Sequence, residues 1–275
     1  MLEALLGGNQ IASYDFNSAS GVLLHLDGTD GQAAGSGSAS IVTPDVHGHP
    51  SAGLYSSAKY VAAGRAYGTT GVDCSPASTS VIFVNANKVG DFVHANDFTV
   101  EVYLSKKNAT LSKLNPIFCD RYSPDLTTSF PSYGYPPSGT YTSSVLMSCY
   151  VFVAANGNLG LSLKGLTGSG STWYNTTLDT GANLWNLLST TQSRLFLIQM
   201  KNKQFQVYVD GKLIYSVANP AWAGPGYNTQ LDFGNNWTLT SQAADLIFDE
   251  VRYTNGLARV AGGSYFIPPT TAFVN

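Results

Sequence analysis

The sequence predicts an all-β protein: an antiparallel β-sandwich with an N-terminal arm and long loops. Three observations predict it. Apolar and polar residues alternate at period two in several runs, tight-turn pairs such as Asn-Gly and Asp-Gly separate those runs, and no long stripe of period 3.6 interrupts them. Short strands at this spacing bury their apolar faces by stacking as two sheets. A chain of 275 residues suits one large β domain, and the expected division is an arm over residues 1–20 and a single domain over 21–275.

The elements follow in order. The Gly/Ser/Ala-rich stretch from Gly28 to Ser40 reads as a flexible loop. In Asp97 to Leu104, DFTVEVYL, residues Phe98, Val100, Val102 and Leu104 share one face while Thr99, Glu101 and Tyr103 share the other, which predicts a half-buried strand. Ser123 to Thr142, dense in Pro, Gly, Ser and Tyr, is a long surface loop. The run VLMSCYVFVAANGNLGLSLKG folds back at Asn156-Gly157. A second hairpin aligns Phe205, Val207 and Val209 on one face and turns at Asp210-Gly211, with Leu213 and Tyr215 expected to continue the stripe. Leu246 to Tyr253 is a closing strand, followed by an Asn255-Gly256 turn and an aromatic-Pro-Pro tail expected to seal a sheet edge.

Composition narrows the function. Charged residues make up 11% of the chain and the net charge is −3, so no basic run offers a footprint for a phosphate backbone, and nucleic acid is excluded as a partner. Cys74, Cys119 and Cys149 are odd in number and widely spaced, which predicts buried free thiols rather than disulfides or a zinc site. The N-terminus MLEALLGGNQ lacks a basic segment before its apolar residues and does not read as a secretory signal. No apolar run approaches the ~20 residues that span a bilayer. The expectation is a protein made in a reducing cytoplasm, with no membrane partner.

Four motifs carry a family resemblance: Gly21-Val22-Leu23-Leu24-His25-Leu26-Asp27-Gly28, Asp97-Phe98-Thr99-Val100-Glu101-Val102-Tyr103, Phe205-Gln206-Val207-Tyr208-Val209-Asp210-Gly211, and Phe248-Asp249-Glu250-Val251-Arg252 with the tail through Phe273. In this order they resemble the laminin G-like, concanavalin A-like lectin/glucanase jelly rolls of bacteriophage virion proteins. The passage between Asp27 and Asp97, and the Tyr-rich loop, are longer than the pattern. The resemblance implies a non-enzymatic virion component, a capsid decoration or a tail or fibre part. It would contact other virion proteins, form a homo-oligomer, and use residues 1–20 as an anchor. The alternative is a glycan-binding adhesion module that recognises host-surface polysaccharide.

The related glucanases carry Glu-x-Asp-x-x-Glu on one strand, whereas Asp249 and Glu250 are neighbours and strand alternation sends them to opposite faces. Asp249 is expected to accept hydrogen bonds from a nearby turn and Glu250 to pair with an Arg or Lys, leaving no catalytic residue. His47 and His49, with Asp45, fall short of a tetrahedral metal site. Asp27, Asp30 and Asp97 could feed a calcium ion of the kind some laminin G-like domains hold, but calcium takes roughly 6–8 oxygens, so no cofactor is assigned. The candidate interaction surface is aromatic: Tyr122, Phe130, Tyr133, Tyr135 and Tyr141 in one loop, with Trp173 and Trp222 in or beside other turns.

Overall fold

The computed structural model describes residues 12–15, 21–33, 52–85, 92, 97–121, 149–167, 173–218, 222–223, 230–235 and 243–274; at 121, 164–167, 173–178 and 222–223 the backbone alone is described. The strands are β1 (Val22–Leu24), β2 (Ala52–Tyr55), β3 (Lys59–Val61), β4 (Gly71–Asp73), β5 (Val81–Asn85), β6 (Phe98–Lys106), β7 (Asn115–Arg121), β8 (Cys149–Val153), β9 (Asn158–Thr167), β10 (Trp173–Asn183), β11 (Arg194–Lys201), β12 (Gln204–Val209), β13 (Lys212–Ala218), β14 (Trp222–Ala223), β15 (Gln230–Phe233) and β16 (Leu246–Asn255). One short helix, α1 (Leu184–Leu187), follows β10.

The strands form two antiparallel sheets packed as a sandwich. The first runs β13-β12-β11-β6-β16-β4-β3 with β1 also paired to β16, and the second runs β10-β9-β8-β7-β15-β5-β2 with β14 also paired to β9. Alternation fills the space between them. Phe98, Val100, Val102 and Leu104 of β6 meet Phe118, Val151, Leu161 and Leu231 of the second sheet's strands in one continuous core. The turns read from sequence are in place. Asp210-Gly211 has φ of 46° and 80° and joins β12 to β13, as a primed hairpin turn requires. Asn202-Lys203, with φ of 48° and 63°, is a further turn of this kind, between β11 and β12; its Lys at a positive φ hides it from a reading based on glycine.

The structure departs from the sequence reading in several places, each for a local reason. Strand β6 is buried on both faces, because a second hydrophobic cluster forms outside the first sheet from Leu23, Tyr103, Leu195, Leu197, Tyr208, Val260, Phe266 and Phe273. The C-terminal tail therefore lies over a sheet face. The carbonyl of Pro269 accepts from Tyr67 and Tyr103 hydroxyls at 3.3 and 3.2 Å. Edge pairing falls instead to Ser264 and Tyr265, which bond the start of β13. Leu213 and Tyr215 do not share a stripe: a bulge between Val207 and Tyr208 places Leu213 in the outer cluster and Tyr215 against the core. Gly31 and Gln32 exchange backbone bonds with Tyr60, so the first part of the stretch read as a loop is tied to β3. Ala12 to Asp15 bond the backbone around Arg259–Tyr265, and Tyr14 stacks on Phe266 at 4.9 Å. The rest of residues 1–20, His47 and His49 lie outside the described residues.

The most consequential departure is in β16. Asp249 pairs with Tyr103 while Arg252 pairs with Glu101, so β16 holds one more residue than β6 across this step. Glu250 takes up the extra residue at a φ of 50°, a left-handed conformation that is costly for a residue with a side chain. Alternation is broken there. Phe248, Val251 and Tyr253 point into the core, while Asp249 bonds Ala66 and Tyr67 and Glu250 bonds Phe273, all of them residues of the outer cluster or packed against it. The two acids thus share the outer side of the first sheet, contrary to the expectation from strand parity.

Candidate functional site

The outer side of the first sheet concentrates charge but seals it. Glu101, 0% exposed, accepts two bonds from the Arg252 guanidinium, Nε to Oε2 at 2.7 Å and Nη2 to Oε1 at 3.0 Å, and a further bond from the Tyr14 hydroxyl. Arg259 Nε donates to Thr254 at 2.8 Å and lies 3.4 Å from Glu101, while its Nη1 donates to the Asp15 carbonyl at 2.8 Å. Phe273 closes over the Arg252 guanidinium at 4.1 Å. Burial works against the Arg252 charge, but Glu101 outweighs it and holds its pKa above the ordinary value. Arg259 is lowered by burial and by Arg252. These groups hold the N-terminal segment, β6, β16 and the tail together, and they offer a ligand no face.

Asp249 and Glu250 are likewise spoken for. Asp249 accepts from the Ala66 and Tyr67 N–H groups at 2.8 and 3.0 Å, as expected of a turn-capping acid. Burial pushes its carboxyl up to about 7 despite those donors, and the neighbouring Glu250 charge adds to the shift. Glu250 does not pair with Arg or Lys. Its partners are His25 Nδ1 at 3.0 Å and the Phe273 N–H at 2.9 Å, and burial raises its pKa as well. His25 is 33% exposed while Glu250 is 1% exposed, so the acid stays out of a substrate's reach.

The nominated calcium ligands do not converge. Asp27 caps Thr69 and Thr70, Asp30 accepts from the Ala62 N–H and Asp97 from the Asn202 N–H. Among the described residues no group of three or more His, Cys, Asp or Glu could hold a metal ion. The three cysteines are buried thiols, with Cys74 and Cys149 raised by burial first and by Asp73 and Asp120 second. Tyr122, Phe130, Tyr133, Tyr135 and Tyr141 lie outside the described residues. For Trp173 and Trp222 the backbone alone is placed: Trp173 pairs with Leu166 and Trp222 with Thr167, on opposite sides of β9.

On the outer face of the second sheet, Cys119, Tyr150, Phe152 and Asp232 are all buried, with the Tyr150 and Phe152 rings stacked at 4.7 Å. Among the described residues, exposed polar chemistry is found at strand ends. The best organised example is at the tip of the β8–β9 hairpin, beside a bulge in β10. There β10 shifts register between Asp179 and Asn183 as Gly181 turns at a φ of 71°. Asp179 faces solvent. Its Oδ1 accepts from Gly181 N at 2.9 Å and Asn158 Nδ2 at 2.9 Å, and its Oδ2 from Asn156 Nδ2 at 2.9 Å and Asn158 Nδ2 at 3.2 Å. Those bonds, the Gly181 N–H foremost, hold its carboxyl below the usual carboxylate range.

The surrounding backbone fixes the group. Gly157 N bonds the Ala154 carbonyl, and Trp185 N bonds the Gly157 carbonyl at 3.0 Å, which ties α1 to the hairpin tip. Asn183 caps α1 through Asn186 N at 2.9 Å, and Leu187 on that helix is 43% exposed. A carboxylate has about four acceptor sites and each Asn amide two N–H donors. Asp179 therefore has its acceptor sites filled within the tip, and the Asn156 amide, with one bond to it, keeps one hydrogen. Sequence reasoning passed over it because aromatic residues drew the attention. The signal was there in Asn156-Gly157-Asn158 and in Asp179-Thr180-Gly181, where an acid two residues before its N–H donor forms an Asx turn.

No family model matches the chain, and no curated protein matches it in sequence. Solved structures do match in fold. They include the receptor binding domain of botulinum neurotoxin D (TM-score 0.52, 13% identity, 86% of this chain and 50% of that one) and that of the botulinum neurotoxin C/D mosaic serotype (TM-score 0.52, 14% identity, 87% and 49%). A third is the botulinum neurotoxin serotype D ligand binding domain in complex with N-acetylneuraminic acid (TM-score 0.50, 14% identity, 87% and 48%). The chain spans about half the length of these structures. At such identities the likeness is one of fold: the chain is an all-β antiparallel sandwich, similar in architecture to these domains.

Proposed function

We propose that this chain is a non-enzymatic glycan-binding module. The observation that carries the reading is the exposed polar cluster of Asn156, Asn158 and Asp179, locked by its own hydrogen bonds on a rigid hairpin tip. Binding sites are commonly built this way, on loops held by a rigid scaffold. The shared fold with a domain seen in complex with N-acetylneuraminic acid supports the same reading. Titration of the full chain against a panel of oligosaccharides, followed by ligand-observed NMR, should reveal binding in the micromolar-to-millimolar range. Silence across the panel at millimolar sugar, with a folded protein, overturns it.

A second reading concerns where such a module works, and it rests on the four ordered sequence motifs. It places the chain in a bacteriophage particle, in contact with other virion proteins or with copies of itself. Exposed Tyr265, Ile267 and Val274 along the tail offer apolar surface for such contacts. Mass spectrometry of purified particles should then detect the polypeptide in stoichiometric amount, and its absence from them would refute the placement.

A further inference from the structure

We propose that the open half of strand β13 is the seat of a two-fold dimer, in which it pairs antiparallel with β13 of a second copy. The inference stands apart from the glycan reading and holds wherever the chain works. β13 closes one end of the first sheet, and among the described residues no other strand pairs with its outer side. An edge strand leaves a row of backbone N–H and C=O groups without ladder partners, a template for an extended chain that reaches it.

Elsewhere the sheet dresses its edge. At the opposite end of its main path, Gly31 and Gln32 bond Tyr60 on β3, and Ala33 bridges Lys59. The first half of β13 is guarded as well: Lys212 is exposed, a bulge falls at Ile214, and the Gly211 carbonyl and the Leu213 N–H are taken by Phe266 and Ser264. Past Ile214 these devices stop. Tyr215 to Ala218 run in regular register with Val207 to Gln204, and the stretch Leu213 to Ala218, LIYSVA, holds no charge and no proline. Edges that must stay free carry charge, proline, a bulge or a cover, so their lack on this half of β13 points to a partner.

Charge and shape select a second copy. An antiparallel pair of identical strands closed by a two-fold axis sets one residue opposite its own copy. Centred on Ser216, which is exposed, the axis sets Tyr215 against Val217 and Ile214 against Ala218. No like charges meet, and Lys212 falls outside the ladder. Ile214, Tyr215 and Val217 are partly buried at the rim of the core, so the pairing covers the rest of them and sets an aromatic ring against a β-branched side chain. A ladder this short falls below the roughly 1,000 Å² of a firm interface. Strand β10, the edge of the second sheet, lies against β13 and widens the seam, and a micromolar dimer is expected.

Sedimentation equilibrium of the full chain from about 1 μM to about 1 mM tests this. The expected result is a monomer–dimer equilibrium. Ser216→Lys, with its melting temperature checked against wild type, should weaken the dimer by at least about tenfold, because like charges then face each other across the axis. Ser216→Asp should do the same, and an equimolar mixture of the two variants should dimerise again as opposite charges meet. Ile267→Lys, on the exposed tail, is the control and should leave the equilibrium unchanged. A chain that stays monomeric throughout overturns the inference. So does a dimer that survives Ser216→Lys, one that yields to Ile267→Lys instead, or a mixture that fails to re-form it.

Discussion

Glu101→Ala is expected to destabilise the protein by about 3–5 kcal/mol, because it strands buried guanidinium charge rather than merely deleting a contact. Glu101 accepts the bidentate fork of Arg252 and lies 3.4 Å from Arg259, and all three side chains are buried. Denaturant unfolding of the variant measures the loss. The pair itself need not be strongly stabilising, since two well-packed apolar residues can replace a buried ion pair at little cost. On an Arg252→Met background, Glu101→Leu should therefore cost far less than Glu101→Ala does in the wild type. A Glu101→Ala penalty under 1 kcal/mol would show that water reaches this layer and that the tail does not seal it.

Asp249 should make stability depend on pH in an unusual direction. Its carboxyl ionises near 3.8 in the unfolded chain and at about 7 in the fold, where burial favours the neutral form. Between those values the folded state holds a proton that the unfolded chain has released. The contribution is thus complete below 3.8, falls as pH rises, and is gone above about 7. A shift of this size is worth on the order of 4 kcal/mol. The neighbouring Glu250 charge works in the same direction as burial, and Glu250 itself is held by His25 Nδ1 at 3.0 Å. The clean readout is the difference in unfolding free energy between wild type and Asp249→Asn from pH 5 to 8. The wild type should lose ground to the variant by roughly 1.4 kcal/mol per pH unit until the fold's own titration ends. A difference that stays flat across that range would mean that the N–H donors of Ala66, Tyr67 and Glu250, not burial, govern the group.

Much of the fold was legible in the chain, and particular residues show where legibility ends. The core face of β6 and the Asp210-Gly211 turn follow from alternation and from the φ values that glycine permits. The other face of β6 looked solvated because Thr99, Glu101 and Tyr103 are polar; it is buried because a tail about 160 residues downstream folds over it, and no local pattern encodes that return. Parity misplaced Glu250 because it assumes an unbroken ladder, whereas the bulge is held by Ala66, Tyr67, His25 and Phe273, all remote in sequence. The functional reading leaned on aromatic residues, yet the group on which the structure focuses is a carboxylate among amides. Its parts, Asn156, Asn158 and Asp179, look like ordinary turn chemistry until a bulge brings them together.

The position of β16 has a consequence for how the polypeptide acquires its shape. This strand, ending at Asn255, lies between β6 on one side and β1 and β4 on the other. The first sheet thus stays in pieces until β16 has left the ribosome. Contacts as distant as Val22 with Tyr253 must form in the committing step, which makes for high contact order and slow, all-or-none folding. Until then the nascent chain leaves β6, β4 and β1 without their shared neighbour, so cooler expression and slower synthesis should raise the yield of native protein by giving β16 time to enter its slot.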